Sequence, residues 1–361
     1  MNIDPLSSMT VPLTPAASLD ALFEAPTMYL REIDFEGREA LFLRMNRDGY
    51  ARSSFLDKRT ITVDGNVYGV PLAMLLERFH EGRPPPRRIN YIFHTAFCGS
   101  TLLSRCLDRT GVCLAYKEPF VLHQLSFVRR RGPRPEALSR PTPFLDLALA
   151  LLGRSYEPDE TPLVKPADSC TNLACEMLTA HPASAGLLLY ARLDAFLVAM
   201  LKNHKRRRYV RSLVARARTD LDDSGHLPGI ATGALSDAQA AAFVWIGLMR
   251  PYLDLLADDR LAVRSLDASV FFDRPAPTLE AAARLFGLAL SEADIQAAVG
   301  SVFTRNAKDP FQPFDNAAYA AQKEHLTRHL AAEIEEGVVW AAALTRDDPI
   351  PDVLPKRLVD Q

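Results

Sequence analysis

The chain has 361 residues, 48% of them hydrophobic and 24% charged, so it can bury one large core or two modest ones. A formal net charge of −2 argues against the strong basic field by which proteins bind nucleic acid or membrane surfaces non-specifically. The start, MNIDPLSSMTVPL, lacks the basic segment and apolar core of a signal peptide, and no apolar run reaches the roughly 20 residues that span a bilayer. The five cysteines include no CxxC pair, and we expect a cytoplasmic protein that keeps them reduced.

The N-terminal part of the chain predicts a loose arm followed by a small antiparallel sheet. Residues 1–25 are rich in Pro, Ser and Thr, and from Met28 to Leu72 apolar and polar residues alternate. The EG and DG dipeptides between the alternating runs suit tight turns. A helix, PLAMLLERFH, follows, and the prolines of EGRPPPRR end it. We therefore predict an N-terminal arm and sheet over residues 1–85 and a second domain over residues 86–361.

Beyond that boundary, short apolar segments alternate with helical patterns. The predicted strands are NYIFH, GVCLAY, PLVK, GLLLYA and LAVRSL, in chain order. Helical segments of ten or more residues separate most of them, which is typical of a parallel sheet with helices on both faces. The predicted fold class is therefore α/β, with a parallel sheet of the phosphate-binding-loop type preceded by a small antiparallel subdomain. In such sheets ligands bind at the carboxyl ends of the strands.

The turn after the first of these strands is a candidate anion-binding loop. It contains Cys98, Gly99, Ser100, Thr101 and Leu102. A glycine lets the backbone approach an anion closely, and hydroxyls and helix-start amides can donate hydrogen bonds to it. Against the pattern GxxxxGK[ST], Gly99 and Thr101 fit, but Ser100 replaces the lysine and His94 the first glycine. A plain strand-to-helix turn remains the alternative.

Charged residues follow the other predicted strands and would converge on the same edge of the sheet. They are Lys117, Glu118, Lys165, Asp168 and Arg192. Cations among them could neutralise phosphate or sulfate charge. For Asp168 we favour a different role, the N-terminal cap of a helix that begins near Thr171.

Three segments in order resemble the bacterial and tyrosylprotein-type sulfotransferases, from Ile89 to Ser301. FCGSTLLSRCLDRTGVCLAYKEP is similar to the family's phosphosulfate-binding loop and a following strand that ends in Glu-Pro. LVKPADSCTNLACEMLTAHPASAGLLLYARLDAFLVAML resembles a second block, in which a strand ends Lys-x-Pro and a later strand precedes Arg-Asp-Pro. LAVRSLDASVFFDRPAPTLEAAARLFGLALS resembles the block with the last strand and a helix ending in FLGL.

The resemblance implies transfer of a sulfuryl group from 3′-phosphoadenosine 5′-phosphosulfate to a hydroxyl or amine. It implies that the loop residues 98–102 hold the 5′-phosphosulfate and that Arg192 binds the 3′-phosphate. Glu118 matches a general base for the acceptor, since the attacking oxygen must lose its proton. Lys165 and Lys117 would stabilise charge on the oxygen that bridges to the leaving nucleotide.

The resemblance also implies that a late basic segment closes over the nucleotide, here through Arg305 and Lys308. The chain departs from the family pattern where an Arg or Lys stands two residues before the loop glycine, because Phe97 is there. Met200 likewise replaces a serine, and Arg-Leu-Asp replaces Arg-Asp-Pro.

Three hypotheses therefore stay open: a sulfotransferase-like enzyme, a kinase-like transferase that uses ATP with Mg²⁺ on a small molecule or peptide, and a non-catalytic nucleotide- or partner-binding protein.

The basic run from Lys202 to Arg211 is expected to be a solvated helix face, with steering of an acidic substrate or docking of an acidic partner as alternatives. Only Tyr209 interrupts it with an aromatic ring, which disfavours nucleic acid. We expect no metal site, because the nearest pair of ligand types, His325 and His329, lies on a polar helix.

Overall fold

The computed structural model describes residues 10–12, 16–82, 85–131, 143–227, 229–302 and 316–360. Over these residues the chain forms a small N-terminal sheet and a larger parallel sheet that is flanked by helices. The predicted α/β class is therefore confirmed. The boundary at residue 85 stays a prediction.

The N-terminal sheet is built from a meander of three antiparallel strands with a fourth strand at its edge. The strands are β1 (Thr10–Pro12), β2 (Met28–Asp34), β3 (Glu39–Arg44) and β4 (Val67–Pro71), in the spatial order β1-β4-β3-β2. The β2–β3 turn closes where the Asp34 carboxylate accepts the amide hydrogens of Glu36 and Gly37. The three strands between Met28 and Pro71 pair antiparallel, as predicted, and β1, from the segment expected to be a loose arm, adds in parallel to β4.

The larger sheet contains five parallel strands, as predicted. They are β5 (Asn90–His94), β6 (Cys113–Lys117), β7 (Thr161–Lys165), β8 (Ala185–Tyr190) and β9 (Ala262–Asp267). Their spatial order is β6-β7-β5-β8-β9, and every residue of β5, β6 and β8 is buried. Burial of both faces explains why these strands read as continuous apolar runs rather than as alternating patterns. All five carboxyl ends lie at one edge.

Helices connect the strands and cover the sheets. They are α1 (Ala16–Glu24), α2 (Arg47–Arg52), α3 (Leu72–Gly82), α4 (Ser100–Leu107), α5 (Phe120–Arg131), α6 (Pro143–Leu152), α7 (Ala174–Thr179), α8 (Leu193–Leu201), α9 (His204–Ser224), α10 (Asp237–Ala257), α11 (Ala268–Asp273), α12 (Pro275–Phe286), α13 (Glu292–Val302), α14 (Asn316–His329) and α15 (Ala331–Leu344).

Two helical segments at the carboxyl edge have notable starts. The segment after β8 is divided into α8 and α9, because Asn203 caps α9 by accepting the amide hydrogen of Arg206. The helix expected near Thr171 begins as a 3₁₀ helix, Asp168–Leu173, whose cap residue is Ala167. Asp168 is therefore not the cap, and its carboxylate pairs with Arg216 instead.

Helix α10 forms the apolar centre of the helical layer beside α8, α9 and α15. By length and composition it is long and apolar enough to cross a bilayer, contrary to the sequence-based expectation, but 78% of its most apolar window is buried within the fold. Ser236 and Gln239 form a capping box at its start. At Gly247 a side chain would meet Ala217 of α9 at 2.9 Å, so the two helices pack at close range.

The N-terminal sheet is fixed to the end of strand β6. The segment after α2 donates a backbone hydrogen bond from Leu56 to Lys117 at 2.7 Å and accepts one from Phe120 at 3.1 Å. The Tyr29 hydroxyl donates to the same Leu56 carbonyl at 2.8 Å. This anchoring places the neighbouring side chain of Phe55 at the carboxyl edge of the large sheet.

Candidate active site

The loop between β5 and α4 has the backbone geometry of an anion-binding turn. Gly99 has a φ of +86°, and an added Cβ would lie 2.9 Å from the Phe272 ring, so only glycine fits there without strain. Ala96 and Phe97 also have positive φ values, 64° and 51°. Gly99 is the N-cap residue of α4, so no side chain caps the first amides of that helix. These amides are suited to a bound anion.

A cleft of about 170 Å³ opens over this loop. Its walls combine loop residues, strand ends and aromatic rings: Phe55, His94, Ala96, Phe97, Gly99, Ser100, Thr101, Leu102, Glu118, Asp168 and Tyr209. The structure thus brings together six residues that the sequence placed at this edge, namely Gly99, Ser100, Thr101, Leu102, Glu118 and Asp168. These residues converge because the carboxyl ends of parallel strands lie at one edge of the sheet, and β5 and β6 are separated only by β7.

Cys98 differs from its neighbours in the loop. Its side chain is buried away from the cleft, with the sulfur 3.6 Å from the carbonyl oxygen of Leu189. Burial raises the pKa of this thiol to about 11, which keeps it protonated and unreactive at neutral pH. The prediction that Cys98 binds the co-substrate is corrected as far as its side chain is concerned.

Glu118 lies at the centre of a compact ionic group beneath the cleft. Its carboxylate accepts a hydrogen bond from Lys165 Nζ at 2.5 Å, and its amide donates to the Lys165 carbonyl at 2.6 Å. His94 Nε2 lies 3.2 Å from Lys165 Nζ and 3.7 Å from the Glu118 carboxylate. His94 Nδ1 accepts the amide hydrogen of Ala96, which joins this group to the loop.

The backbone of Glu118 is strained in a way that serves its placement. Its φ is +52°, a conformation that costs a non-glycine residue about 1–3 kcal/mol. This backbone conformation directs the Glu118 carboxylate from the end of β6 into the cleft, where the side chain keeps 25% of its surface exposed. Lys165, by contrast, is fully buried behind it. Lys165 therefore contacts Glu118 directly and is not one of the residues that line the cleft.

The structure does not bring Lys117 to the cleft. Its ammonium group is buried and donates to the carbonyl of Tyr50 at 2.7 Å, with Asp108 3.4 Å away. Burial lowers the pKa of Lys117, and the Asp108 carboxylate partly offsets that effect. The predicted catalytic role of Lys117 is therefore corrected: this lysine holds α2 against the end of β6.

Arg192 lies at the carboxyl end of β8, outside the cleft. It precedes α8, and its guanidinium donates to the Asp267 carboxylate at the end of β9, at 2.6 Å. Its side chain is 38% exposed, so a ligand can reach it along the edge of the sheet. Arg305 and Lys308 lie outside the residues that the structure describes.

Sequence reasoning placed Asp168 at this edge of the sheet but favoured a capping role for it, and it missed Phe55 altogether. Asp168 lines the cleft and pairs with Arg216 of α9 at 2.8 Å. Burial raises the pKa of Asp168, but Arg216 outweighs it and holds the pKa below its usual value. Phe55 comes from the segment between α2 and β4, and the Arg59 guanidinium stacks on its ring at 4.3 Å. No sequence motif predicts contacts between segments that lie so far apart in the chain.

The sequence predicted a solvated helix face for the basic run on α9. The structure shows that this face is not uniformly solvated. The Arg206 guanidinium lies 3.2 Å from the centroid of the Phe97 ring, and Tyr209 packs edge-on against the same ring. Arg207 pairs with Glu333 of α15. The sequence did contain a signal for these contacts, because residues 206, 209 and 216 recur at helical spacing and share one face of α9.

Comparison with known proteins gives limited information. No protein-family model matches the chain, and no curated protein does. The chain is similar to a solved structure described as the crystal structure of a sulfotransferase from Alicyclobacillus acidocaldarius. The sequence identity is 14%, the match covers 73% of this chain and 97% of that chain, and the TM-score is 0.33. A likeness at this level does not show membership of the family or a shared activity.

Proposed function

We propose that this protein transfers a sulfuryl group from 3′-phosphoadenosine 5′-phosphosulfate to a hydroxyl or amine acceptor. The observation that carries the proposal is the shared cleft of Glu118 and the Gly99–Thr101 loop. A carboxylate that can take a proton therefore lies beside a turn built to hold an anion, which are the two groups that sulfuryl transfer needs.

In the proposed reaction, Glu118 and the loop on the other wall of the cleft have separate roles. The acceptor loses its proton to the Glu118 carboxylate as its oxygen or nitrogen bonds to sulfur. The bond from sulfur to the bridging oxygen breaks, and that oxygen leaves on the 5′-phosphate with the bonding electron pair. The α4 amides with the Ser100 and Thr101 hydroxyls donate to the anion, and donors fixed in this way reduce the barrier most where charge develops.

Lys165 acts in this scheme through Glu118 rather than on the nucleotide. Its bond to one carboxylate oxygen orients the base and leaves the other oxygen for the acceptor. Lys165 is therefore a positioning residue, with His94 completing the support between β7 and the loop. The role at the bridging oxygen that the resemblance implies for Lys165 does not fit an ammonium group that is fully buried against Glu118.

The volume of the cleft supports one placement of the proposed nucleotide. About 170 Å³ is well below the 300–1,000 Å³ of drug-sized pockets, so it suits the phosphosulfate end alone. The adenosine then extends along the sheet edge toward β8, where Arg192 meets the 3′-phosphate in exchange for part of its bond to Asp267. A cytoplasmic location and a small-molecule or peptide acceptor remain predictions.

The test is a transfer assay with radiolabelled co-substrate and a panel of phenols, alcohols and amines. We expect the wild type to label at least one acceptor, and Glu118→Gln to lose about 100-fold or more in rate while it still binds 3′,5′-bisphosphoadenosine. Glutamine keeps the size of the side chain but accepts no proton. Equal transfer by the wild type and the variant would refute the assignment of Glu118 as the base.

A further inference from the structure

The charged side chains that line the cleft are acidic, although the proposed ligand is an anion. Glu118 and Asp168 both lie on its walls. Lys165 and Arg216 pair with them at 2.5 and 2.8 Å, so these two cations balance the two carboxylates. Binding a phosphosulfate with several negative charges in such a site calls for a further cation at the loop.

Arg206 places its charge at that loop. Its guanidinium lies 3.2 Å from the centroid of the Phe97 ring, and Phe97 lines the cleft between Ala96 and Gly99. Stacking on an aromatic ring occupies the face of the guanidinium plane, whereas its N–H bonds lie in that plane and can donate to an anion. Phe97 therefore serves as a platform for a cation that comes from another segment.

The cap and the side-chain contacts of helix α9 hold Arg206 against the loop. Asn203 caps the helix and accepts the Arg206 amide hydrogen at 3.1 Å, which fixes the first turn. Three residues on, the Tyr209 ring packs roughly perpendicular to the Phe97 ring, with the centroids 6.0 Å apart, and lines the cleft. Ten residues on, Arg216 pairs with Asp168, so the same face of α9 is held at both ends of the cleft.

Neighbouring cations of α9 are directed elsewhere. Arg207 pairs with Glu333 of α15, and Arg211 donates to Asp237 at 2.6 Å. Arg208 is exposed on the same turn. Among these arginines, Arg206 is the one that the structure stacks against the anion-binding loop.

We propose that Arg206 is the cation that binds the anionic end of the co-substrate, supplied by α9 to a loop that carries phenylalanine where a basic side chain would serve. This rests on the proposed function for the identity of the anion, a phosphosulfate. The recognition itself applies to any phosphate or sulfate group in the loop. It follows that the site is complete only while the first turn of α9 packs on Phe97.

The test compares four variants by calorimetric titration with 3′,5′-bisphosphoadenosine and, separately, with inorganic pyrophosphate. Arg206→Met removes the charge and keeps the length of the chain, and we expect it to weaken binding of both ligands about 10- to 100-fold, as loss of a charged hydrogen bond does. Arg206→Lys keeps the charge and should lose less. Arg208→Met, the matched control, should bind within about twofold of the wild type.

The double variant Phe97→Arg with Arg206→Met returns a cation to the loop itself. We expect it to recover at least about tenfold of the lost affinity, which a merely misfolded Arg206→Met protein would not do. Undiminished binding of pyrophosphate by Arg206→Met would overturn the inference, as would absence of pyrophosphate binding by the wild type. If pyrophosphate binds through Arg206 and the bisphosphate does not bind at all, the inference stands and the sulfuryl-transfer proposal fails.

Discussion

The ion pair between Lys165 and Glu118 leads to a quantitative prediction about the stability of the fold. The two residues close the end of β7 against the end of β6, and their exposures differ: Lys165 has no exposed surface and Glu118 has 25%. Replacing one partner therefore has unequal effects. Glu118→Ala leaves a buried ammonium group beside His94, whereas Lys165→Met leaves a carboxylate that water can reach.

The magnitude follows from burial. Removing one partner of a buried pair typically costs about 3–5 kcal/mol of unfolding free energy, because the other charge stays unpaired. For Lys165→Met we expect about 1–3 kcal/mol, since solvent at Glu118 screens the remaining charge and methionine fills the apolar path of the lysine chain. Glu118→Ala should cost more than Lys165→Met. The double variant should cost less than the sum, with a coupling of about 1–3 kcal/mol.

A double-mutant cycle measured by urea unfolding tests this reasoning. The exposed pair of Arg260 with Asp258, in which the arginine side chain is 86% exposed, serves as a matched control with an expected coupling below about 1 kcal/mol. Additive effects of Lys165→Met and Glu118→Ala, within about 0.5 kcal/mol, would refute the view that the two groups act as one unit.

Two further predictions concern the loop and the second carboxylate of the cleft. Gly99→Ala should weaken 3′,5′-bisphosphoadenosine binding and destabilise the fold by more than the roughly 1–2 kcal/mol of left-handed strain, because its Cβ would also meet Phe272 at 2.9 Å. Gly111→Ala, at a φ of +78° with open space around it, should show the strain alone; equal losses in the two variants would contradict the role of Phe272. Asp168, whose pKa Arg216 lowers despite burial, should add stability that is complete above the ordinary pKa of 3.8 and is lost as the pH falls through the lowered value. The stability gap between wild type and Asp168→Asn should therefore narrow below about pH 4 in pH-dependent thermal melts, and a gap independent of pH would argue against the ion pair.

The sequence predicted those parts of the site that depend on regular structure. Buried parallel strands read as apolar runs, and their carboxyl ends meet at one edge, so the convergence of Gly99 and Glu118 followed from chain order alone. Side-chain directions could not be predicted in the same way. Lys117 and Lys165 both end strands and are paired in register, yet one bonds to α2 and the other to Glu118.

The rest of the site depends on tertiary packing between distant segments. Phe55 reaches the cleft because its neighbour Leu56 is hydrogen-bonded to the end of β6, which no local pattern encodes. Arg206 lies more than a hundred residues from Phe97, and its role was hidden within a run of similar basic residues. A loop that departs from a motif at one position is therefore not evidence of lost binding, because another segment can supply the missing charge.

The central claim, that the cleft holds a phosphosulfate nucleotide, is tested most directly by a thermal-shift comparison of 3′,5′-bisphosphoadenosine with ATP, each with and without magnesium. The account predicts stabilisation by the bisphosphate without magnesium, about 2.7 kcal/mol at 100 times its dissociation constant. Stabilisation by ATP with magnesium alone would contradict it in favour of a kinase-like transferase. Stabilisation by neither nucleotide would contradict nucleotide binding at this cleft.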